Sequence, residues 1–296
     1  MAPCGTFKTL KAAVQAGADA VYLGAGKFSA RAFAGNFDDL ELVRAIKYAN
    51  SFNVKVHLAI NTLMTDRELQ EGLFIFDKAY NAAATAFIIQ DLGFASMVKK
   101  RYPDAILHAS TQMTACTLED VNCLERLGFS RVVMARELCK NQIEKIAVNT
   151  SVELEIFVHG ALCSAYSGQC LLSSFIGGRS ANRGKCAQPC RLPYKYAKAG
   201  RAGVLLSLKD LCLIDYVSEL ADMGITSLKI EGRMKGEDYV RAVVAAYRAV
   251  LDGKPLSDAE KTEMLNIFNR GGYTDGYYTG KRNNMYMEAL KNPYKR

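Results

Sequence analysis

Four of the nine cysteines of this chain lie close together, at Cys163, Cys170, Cys186 and Cys190. Their spacing is C-x6-C-x15-C-x3-C, which matches neither the paired CxxC knuckles of zinc ribbons nor the CxxC runs of bacterial ferredoxins. The residues between them are rich in Gly, Ser, Asn and Pro, and are too polar to bury four separate thiols in apolar surroundings. On spacing alone, the thiolates predict a metal centre that holds either zinc or a 4Fe-4S cluster.

The other cysteines follow a different pattern. Cys116, Cys123, Cys139 and Cys212 lie mostly in helical patterns, where core packing is the expected role, whereas Cys4 would end the first strand. Disulfides are disfavoured because we expect a cytoplasmic protein, whose compartment is reducing. That location is expected because the N-terminal residues lack the continuous apolar core of a signal peptide. Membrane insertion is not expected either, since no run of about 18 uncharged apolar residues occurs.

A second set of candidate residues follows short apolar runs that read as buried strands. The set comprises Arg31, Asn61, Gln90, Asp91, His108, Gln112, Arg136, Glu137, His159, Glu231 and Arg233. Polar side chains at the ends of buried strands cost free energy unless they are paired or used in function. A single residue of this kind more commonly faces a loop or forms a salt bridge. The large number of polar residues at equivalent strand ends nevertheless predicts a functional site.

Residue type suggests a role for each member of this set. Arg31, Arg136 and Arg233 could bind a carboxylate or phosphate bidentately, and the amides and remaining carboxylates would complete a substrate site. His108 and His159 are expected to titrate near neutrality, so they and Glu231 are the candidate catalytic residues. His57 lies inside a strand and is interpreted as a core residue.

The elements that must position these residues alternate between apolar strands and amphipathic helices, which indicates a parallel sheet. The predicted strands are 20–24, 54–60, 86–90, 105–109, 131–135, 153–158 and 226–231, with the opening MAPCG as the end of an eighth. The count and length predict an α/β fold of the (β/α)8 TIM-barrel type, whose active site lies at the carboxyl ends of the strands. A doubly wound open sheet is the alternative, although no GxGxxG follows the first strands.

Two segments interrupt the repeat. Residues 160–208 are too long for an ordinary connection and form a cysteine-rich insertion after the seventh strand, with a hairpin predicted to turn at 198–203. The barrel is expected to occupy residues 1–254. Residues 255–296 then form a short C-terminal extension, in which a capping box from Ser257 to Glu260 begins a helix and the tail starts a further, incomplete element.

The formal net charge is +8. A surplus of this size is ordinary for solubility, whereas a nucleic-acid partner would require clustered charges. Basic clusters occur between Arg179 and Arg201 and in the tail at 291–296, so nucleic acid is a candidate partner. Hydrolysis has little support, because the sequence contains neither GxSxG nor HExxH. A nucleophilic pair of a cysteine with His159 stays open, although four close cysteines are more typical of ligands.

The segment from Glu155 to Ser173 reads E-x-F-x-x-G-A-L-C-x6-C-x-L-S and closely resembles the signature of the U32 peptidase family of collagenase-like proteins. The phrases ARAFAGNF (30–37), AFIIQD, LHASTQ, NRGKCAQPCR and SLKIEGR agree with this resemblance, which covers about residues 1–275. This sequence departs from the family pattern at both ends, because the opening strand is cut before Ala2 and the C-terminal β-rich part is short or missing. If that C-terminal part binds RNA in the family, this chain is expected to bind RNA weakly or to be a fragment of a longer protein.

The resemblance implies a barrel fold and carries the historical label of protease. The family also includes proteins required for hydroxylating a base in ribosomal or transfer RNA, and a pair that acts in oxygen-independent ubiquinone hydroxylation. By resemblance, Cys163, Cys170, Cys186 and Cys190 would bind a 4Fe-4S cluster. The RNA-acting members are linked to prephenate as the oxygen donor, a dicarboxylate that would suit the arginines.

Three functions are therefore weighed. An iron–sulfur-dependent hydroxylase of a tRNA or rRNA base is favoured, because it accounts for the cysteines, the basic clusters and the resemblance together. A U32-type peptidase is the first alternative and rests mainly on the family label. An iron–sulfur partner subunit in oxygen-independent hydroxylation is the second.

Overall fold

The computed structural model describes residues 1–31, 35–196 and 201–287. The strands are β1 (Ala2–Pro3), β2 (Ala20–Gly24), β3 (Lys55–Ile60), β4 (Ala86–Ile89), β5 (Leu107–Ala109), β6 (Arg131–Val133), β7 (Glu153–Ala161), β8 (Tyr194–Tyr196), β9 (Arg201–Gly203), β10 (Asp210–Cys212), β11 (Ser227–Ile230) and β12 (Tyr273–Thr274). The helices are α1 (Phe7–Gln15), α2 (Asp39–Ser51), α3 (Asp66–Asn81), α4 (Leu92–Arg101), α5 (Leu118–Arg126), α6 (Lys140–Ala147), α7 (Leu172–Gly177), α8 (Val217–Asp222), α9 (Glu237–Leu251), α10 (Asp258–Ile267) and α11 (Gly276–Thr279).

Eight strands run parallel in the order in which they occur along the chain. Each strand from β1 to β6 pairs with the next one along the chain, and β11 pairs in parallel with β7. The eight predicted parallel strands are therefore confirmed, although β5 and β6 are shorter than the sequence indicates. The order shows no reversal of the kind that defines a doubly wound sheet, so that alternative does not fit.

The two ends of this parallel array contact each other at Met1. Its terminal amine donates to the carbonyl oxygen of Leu228 at 2.7 Å, and Ile230 N–H donates to the carbonyl oxygen of Met1 at 3.1 Å. Within the described residues, no regular ladder pairs β11 with β1. A closed barrel therefore stays a prediction, while the parallel α/β sheet is established.

The helices begin at capping residues that the sequence places just before them. Thr65 with Glu68 forms a capping box at the start of α3, and Ser257 with Glu260 forms the predicted one at α10. Each such cap satisfies backbone N–H groups that have no partner within the helix. The predicted C-terminal helix is therefore confirmed.

The two faces of the sheet bury different residues. Val56, Leu58 and Ile60 of β3 belong to the main apolar core, together with inward-facing helix residues such as Ile46 and Val243. Burial of one such side chain stabilises the fold by about 1.5–3 kcal/mol. On the other face, Tyr22, Ala59 and Ile88 form a separate small cluster, and the polar residues of the candidate site lie on this face or at its end. Strand alternation thus separates the core from the site.

The insertion that follows β7 contains α7 and a short antiparallel hairpin. Tyr194–Tyr196 pairs with Arg201–Gly203, with Tyr196 opposite Arg201, so the predicted hairpin is confirmed. The predicted turn at 198–203 is wrong in its second half, because 201–203 already belong to β9. The connection at 197–200 lies outside the described residues, as does the basic tail at 291–296.

The C-terminal extension returns to the main sheet. Tyr273 and Thr274 of β12 pair in parallel with Asp210 and Leu211 of β10, which itself pairs antiparallel with the end of β7. The extension is therefore attached to the sheet as far as it is described, and the boundary at 254 stays a prediction. Across the described ranges, no helix has both the length and the apolar character needed to cross a membrane.

Candidate functional site

A small pocket, here called the inner pocket, lies at the carboxyl ends of the parallel strands and encloses about 40 Å³. Its charged and polar lining consists of Tyr22, Arg31, Asn61, Ser110, Thr111, Gln112, Arg136, Lys229, Glu231 and Arg233. The structure therefore brings together six of the substrate-site and catalytic residues that the sequence proposed: Arg31, Asn61, Gln112, Arg136, Glu231 and Arg233. Their roles stay predictions, but their proximity is a property of the fold.

Glu231 is the central charge of the inner pocket. Its Oε2 accepts hydrogen bonds from Arg31 Nη2 at 3.0 Å and from Arg136 Nη2 at 2.9 Å. Burial by itself would raise the pKa of Glu231, but the charges of Arg31, Arg136 and Arg233 lower it to about 2. At neutral pH the carboxylate is therefore ionised and orients two guanidinium groups, and it is not poised to donate a proton.

The walls of the inner pocket are fixed by buried hydrogen bonds. Arg233 Nη1 donates to Ser29 Oγ at 2.6 Å, and burial lowers the pKa of Arg233 to about 10. Asn61 accepts from Ala30 N–H at 3.0 Å and donates through Nδ2 to Ser110 Oγ at 3.1 Å. Ordered neighbours of this kind hold a binding constellation in one geometry.

A buried ion pair lies beside the inner pocket. Lys229 Nζ donates to Glu155 Oε1 at 2.8 Å, while Glu155 Oε2 accepts from Ser227 Oγ at 2.7 Å and from Arg131 Nη1 at 3.4 Å. Burial would raise the pKa of Glu155, but the charge of Lys229 holds it below its ordinary value. Glu155 is thus ionised at neutral pH, while burial lowers the pKa of Lys229, its ion-pair partner in a dry environment.

The histidines do not have the predicted titration behaviour. His108 is buried, and its ring contacts that of His57 edge to face at 4.8 Å between centroids, which agrees with a core position for His57. His159 is fully buried between the rings of Tyr239 and Tyr247. Burial lowers the pKa of His108 and of His159 to about 3. The expectation that they titrate near neutrality is therefore wrong, because neither can be solvated as a cation.

Three other predicted residues serve as local anchors. Asp91 caps α4, where it accepts from Phe94 N–H at 2.8 Å, and Gln90 Nε2 donates to the carbonyl oxygen of Gln112 at 3.3 Å. Glu137 accepts from both the N–H and the hydroxyl of Ser167, at 3.0 and 2.9 Å. A polar residue that ends a strand is followed by a loop or helix, so it readily becomes a cap instead of a pocket residue.

A larger cavity, here called the outer cavity, encloses about 240 Å³ and is lined by all four cysteines of the insertion. Its charged lining consists of Arg31, Arg136, Arg191, Glu231, Lys235 and Arg270. Arg31, Arg136 and Glu231 also line the inner pocket, so the two spaces share a wall. The fold therefore brings the cysteine-rich insertion, which follows the seventh parallel strand, against the strand ends.

The cysteine-bearing loops present free thiols with nearby hydrogen-bond donors. Gln188 N–H donates to Cys186 Sγ at 3.3 Å, and Ser173 Oγ lies 3.8 Å from the same sulfur. Burial raises the pKa of Cys170, and the other three cysteines of the set are close enough to raise it further. In the part of the chain that is described, no three His, Cys, Asp or Glu side chains converge tightly enough to hold a single metal ion.

Arg191 joins the two ends of the insertion. Its guanidinium donates to the carbonyl oxygens of Leu162 and Leu208 at 2.6 and 2.7 Å, and to Ser207 Oγ at 2.7 Å. Leu162 directly precedes Cys163, and Arg191 directly follows Cys190. The first and last cysteines of the set are thus held near each other by one side chain.

Among the remaining cysteines, Cys4 is buried at the end of β1, as expected. Cys123 is exposed on α5, so the expectation of core packing is wrong for it. Helical periodicity places a residue on a face but does not reveal whether a neighbouring element covers that face.

Gly168 lies in the loop between Cys163 and Cys170, here called the first cysteine loop. Its replacement tests whether this loop is held tightly in place. Its φ is +76°, and a Cβ atom there would lie 2.1 Å from the carbonyl oxygen of Gln112. Gly168→Ala is expected to cost about 1–2 kcal/mol in backbone strain alone, and the loop must also move away from Gln112. We expect faster proteolysis within residues 162–191 and a melting temperature lower by about 2–4 °C per kcal/mol.

Gly177→Ala is the matched control for Gly168→Ala. No atom lies within 4 Å of a Cβ built at Gly177, which ends α7 in the same insertion. Alanine there is expected to leave proteolysis unchanged. Equal proteolysis rates and equal melting temperatures in the two variants would contradict a tightly held first cysteine loop.

Several site residues carried no recognised signal in the sequence. Tyr22 lies inside an apolar strand, and Lys235 and Arg270 lie in connections beyond the strand ends. Alternation along β2 would have directed Tyr22 to the face opposite Val21 and Leu23. No local pattern indicates that Lys235 and Arg270 line the same cavity.

Comparisons with known proteins identify the family. The family description Peptidase family U32 matches residues 5–288. An uncharacterized protease of Methanocaldococcus jannaschii is 39% identical over 94% of this chain and 72% of its own length. The 23S rRNA 5-hydroxycytidine synthase of Escherichia coli is 39% identical over 85% of this chain, and tRNA hydroxylation protein P1 of Bacillus subtilis is 37% identical over 85%. The matches span 39% and 62% of those two relatives. The chain belongs to the U32 peptidase family.

Proposed function

We propose that this chain is the catalytic part of an iron–sulfur-dependent enzyme that hydroxylates a base in tRNA or rRNA. The observation that carries the proposal is the wall formed by Arg31, Arg136 and Glu231, which lines both the inner pocket and the cysteine-lined outer cavity. A substrate held at the strand ends would therefore lie beside the cysteines. Relatives that cover most of this chain are named for RNA hydroxylation, which supports the reaction class.

The cysteines would hold a 4Fe-4S cluster. Each thiolate of such a cluster binds a different iron, so its ligands stand further apart than those of one zinc ion. The four thiols that line one cavity match the number of ligands that such a cluster needs. The N–H donor at Cys186 suits a thiolate ligand, because hydrogen bonds to sulfur stabilise its charge. When bound, the cluster would supply one-electron redox chemistry.

The inner pocket, at about 40 Å³, has room for one carboxylate group of a small dicarboxylate such as prephenate, the expected oxygen donor, whose remaining atoms would extend into the outer cavity. Arg136 supports this, because its Nε is buried and has no hydrogen-bond partner among the described residues, while its Nη2 bonds Glu231. A free buried N–H donor is costly unless a ligand completes it. The carbon of the Arg136 guanidinium lies 4.0 Å from the centre of the Phe157 ring, which holds the group in place for a bidentate contact.

We also propose that the eight parallel strands close into a barrel. The hydrogen bonds between Met1 and β11 support closure, as does Tyr22, whose hydroxyl donates to the carbonyl oxygen of Ile230 at 2.9 Å. Closure would bring Arg31, in the connection after the second strand, to Glu231, which follows the last parallel strand, as observed. An RNA substrate would also make the cytoplasm the working compartment.

The peptidase alternative is supported by the protease named among the relatives. It would need a nucleophile and a base in one cavity. No histidine lines the inner pocket or the outer cavity in the part of the chain that is described, and four cysteines line the outer one. A cysteine–histidine pair is therefore poorly supported by the geometry. A partner subunit, the second alternative, would also bind the cluster but would catalyse no reaction by itself.

Nucleoside mass spectrometry of RNA from cells with and without the gene tests the three functions together. We expect one hydroxylated nucleoside to disappear on deletion and to return on complementation with the gene. Unchanged nucleosides together with cleavage of denatured collagen by the purified protein would favour the peptidase. Unchanged nucleosides and no cleavage, with the cluster intact, would favour the partner subunit.

A further inference from the structure

The basic side chains that line the outer cavity carry more positive charge than the carboxylate among them can neutralise. Among the residues that the structure describes, five basic side chains and one carboxylate line this cavity. Arg31 and Arg136 bind that carboxylate, Glu231, whereas Lys235 and Arg270 do not. Lys235 and Arg270 therefore form a separate cationic pair on the wall of the cavity.

Asp210, the carboxylate that pairs with Arg270, is only a weak partner. Asp210 Oδ1 lies 3.9 Å from Arg270 Nη1, at the limit of an ion pair, and accepts no hydrogen bond from any described residue. Lys235 packs over the rings of Phe268 and Tyr239, which hold its ammonium in place without neutralising it. Burial, followed by the charge of Arg270, lowers the pKa of Lys235 to about 8. Two half-buried cations close together, of which Lys235 has the lowered pKa, favour the binding of an anion between them.

We propose that Lys235 and Arg270 bind a phosphodiester of the RNA substrate. This inference rests on the proposed function and deepens it, because it assigns a contact to the RNA backbone. A base that enters a cavity beside the cysteines brings its own phosphates within reach of the cavity wall. One monoanionic phosphodiester between an ammonium and a guanidinium satisfies both donors, whereas the small dicarboxylate has its own arginines in the inner pocket.

The cluster alone would not neutralise the cavity. A four-thiolate cluster in its ordinary oxidised state carries about two negative charges, fewer than the surplus of cations over Glu231. Arg191 is not counted as a ligand group, because three of its N–H groups already donate to Leu162, Ser207 and Leu208. The remaining pair, Lys235 and Arg270, is therefore suited to an anionic group of the substrate itself.

Binding of a short mixed-sequence RNA oligonucleotide to the full chain tests the inference. Fluorescence anisotropy over a range of NaCl concentrations is measured for wild type, Lys235→Gln and Arg270→Gln. Each substitution is expected to weaken binding roughly tenfold at low salt and to reduce the slope of log affinity against log salt by about 0.7, the value for one phosphate contact on a single strand. Lys8→Gln, an exposed lysine on α1, is the matched control and should leave the slope unchanged.

Other results would overturn the inference without touching the proposed function. In one such result, both variants bind RNA with the affinity and salt slope of wild type and still restore the hydroxylated nucleoside. That result would show that Lys235 and Arg270 do not bind RNA. Loss of iron from both variants would assign the pair to the cluster, and weaker binding of prephenate with unchanged RNA binding would assign it to the donor. Failure of the wild-type gene to restore any hydroxylated nucleoside would instead reject the proposed function itself.

Discussion

Cys170→Ser is expected to remove most of the iron from anaerobically purified protein and to reduce the hydroxylated nucleoside to the level of a deletion strain. Cys170 lines the outer cavity with Cys163, Cys186 and Cys190 and is near all three. Serine replaces a soft thiolate by a hydroxyl, which is a poor ligand for iron in a cluster. Wild-type protein should be brown and contain about four irons per chain.

Cys123→Ser is the matched control for this prediction. Cys123 is exposed on α5 and lines neither the inner pocket nor the outer cavity. Its replacement should preserve colour, iron content and hydroxylation. A colourless wild-type protein that contains zinc and is fully active would contradict the cluster, as would a Cys170→Ser protein with full iron content.

Glu231→Gln is expected to lower the free energy of unfolding by about 3 kcal/mol at neutral pH. The shift of the Glu231 pKa from 4.5 to about 2 corresponds to a stabilisation of that size. Glutamine would leave the charges of Arg31 and Arg136 without a carboxylate, and buried charges that lose their partner are strongly destabilising. Hydroxylation should also fall, on the order of a hundredfold, because the two guanidinium groups lose their orientation. Urea unfolding and nucleoside mass spectrometry measure the two effects.

The pH dependence separates this electrostatic effect from a simple packing defect. The pKa of Glu231 is lower in the folded protein than its ordinary value of 4.5, so its stabilisation is complete above that value and is lost as the pH falls towards about 2. The difference in unfolding free energy between wild type and Glu231→Gln should therefore be largest above about pH 5 and shrink towards pH 2. A difference that does not change with pH would contradict the ion-pair explanation.

Glu71→Gln provides the control at the surface. Glu71 pairs with Lys27, and the two side chains are 43% and 66% exposed. Exposed pairs of this kind contribute about 0–1 kcal/mol, so the variant should unfold almost like wild type. The comparison isolates burial as the source of the larger effect at Glu231.

Much of the architecture is predictable because its signals are local. Short apolar runs identified seven of the eight parallel strands, and the position of MAPCG before a helix identified the eighth. Ser257 with Glu260 correctly identified the start of α10. The polar strand ends correctly suggested that Arg31, Arg136 and Glu231 would be neighbours. Parallel strands expose their carboxyl ends at one edge, so the position of a residue within its strand is sufficient for that inference.

The predictions failed where a side chain's environment depends on other elements. His108 and His159 were expected to titrate near neutrality, but both are buried, and His159 contacts tyrosines from α9. Asp91 and Glu137 end strands as predicted but are used as a helix cap and a loop anchor. Local sequence does not reveal which neighbouring element will contact a strand-end residue.

The sequence by itself determined the order of strands and helices, the helix starts and the grouping of the four cysteines, because each depends on residues close together in the chain. Only the tertiary structure decided the pairing of Glu231 with Arg31, which are 200 residues apart, and that of Glu155 with Lys229, which are 74 apart. It also decided that the cysteine cavity shares a wall with the inner pocket. Ionisation and partner choice depend on burial and distance, and these are set when distant segments pack together.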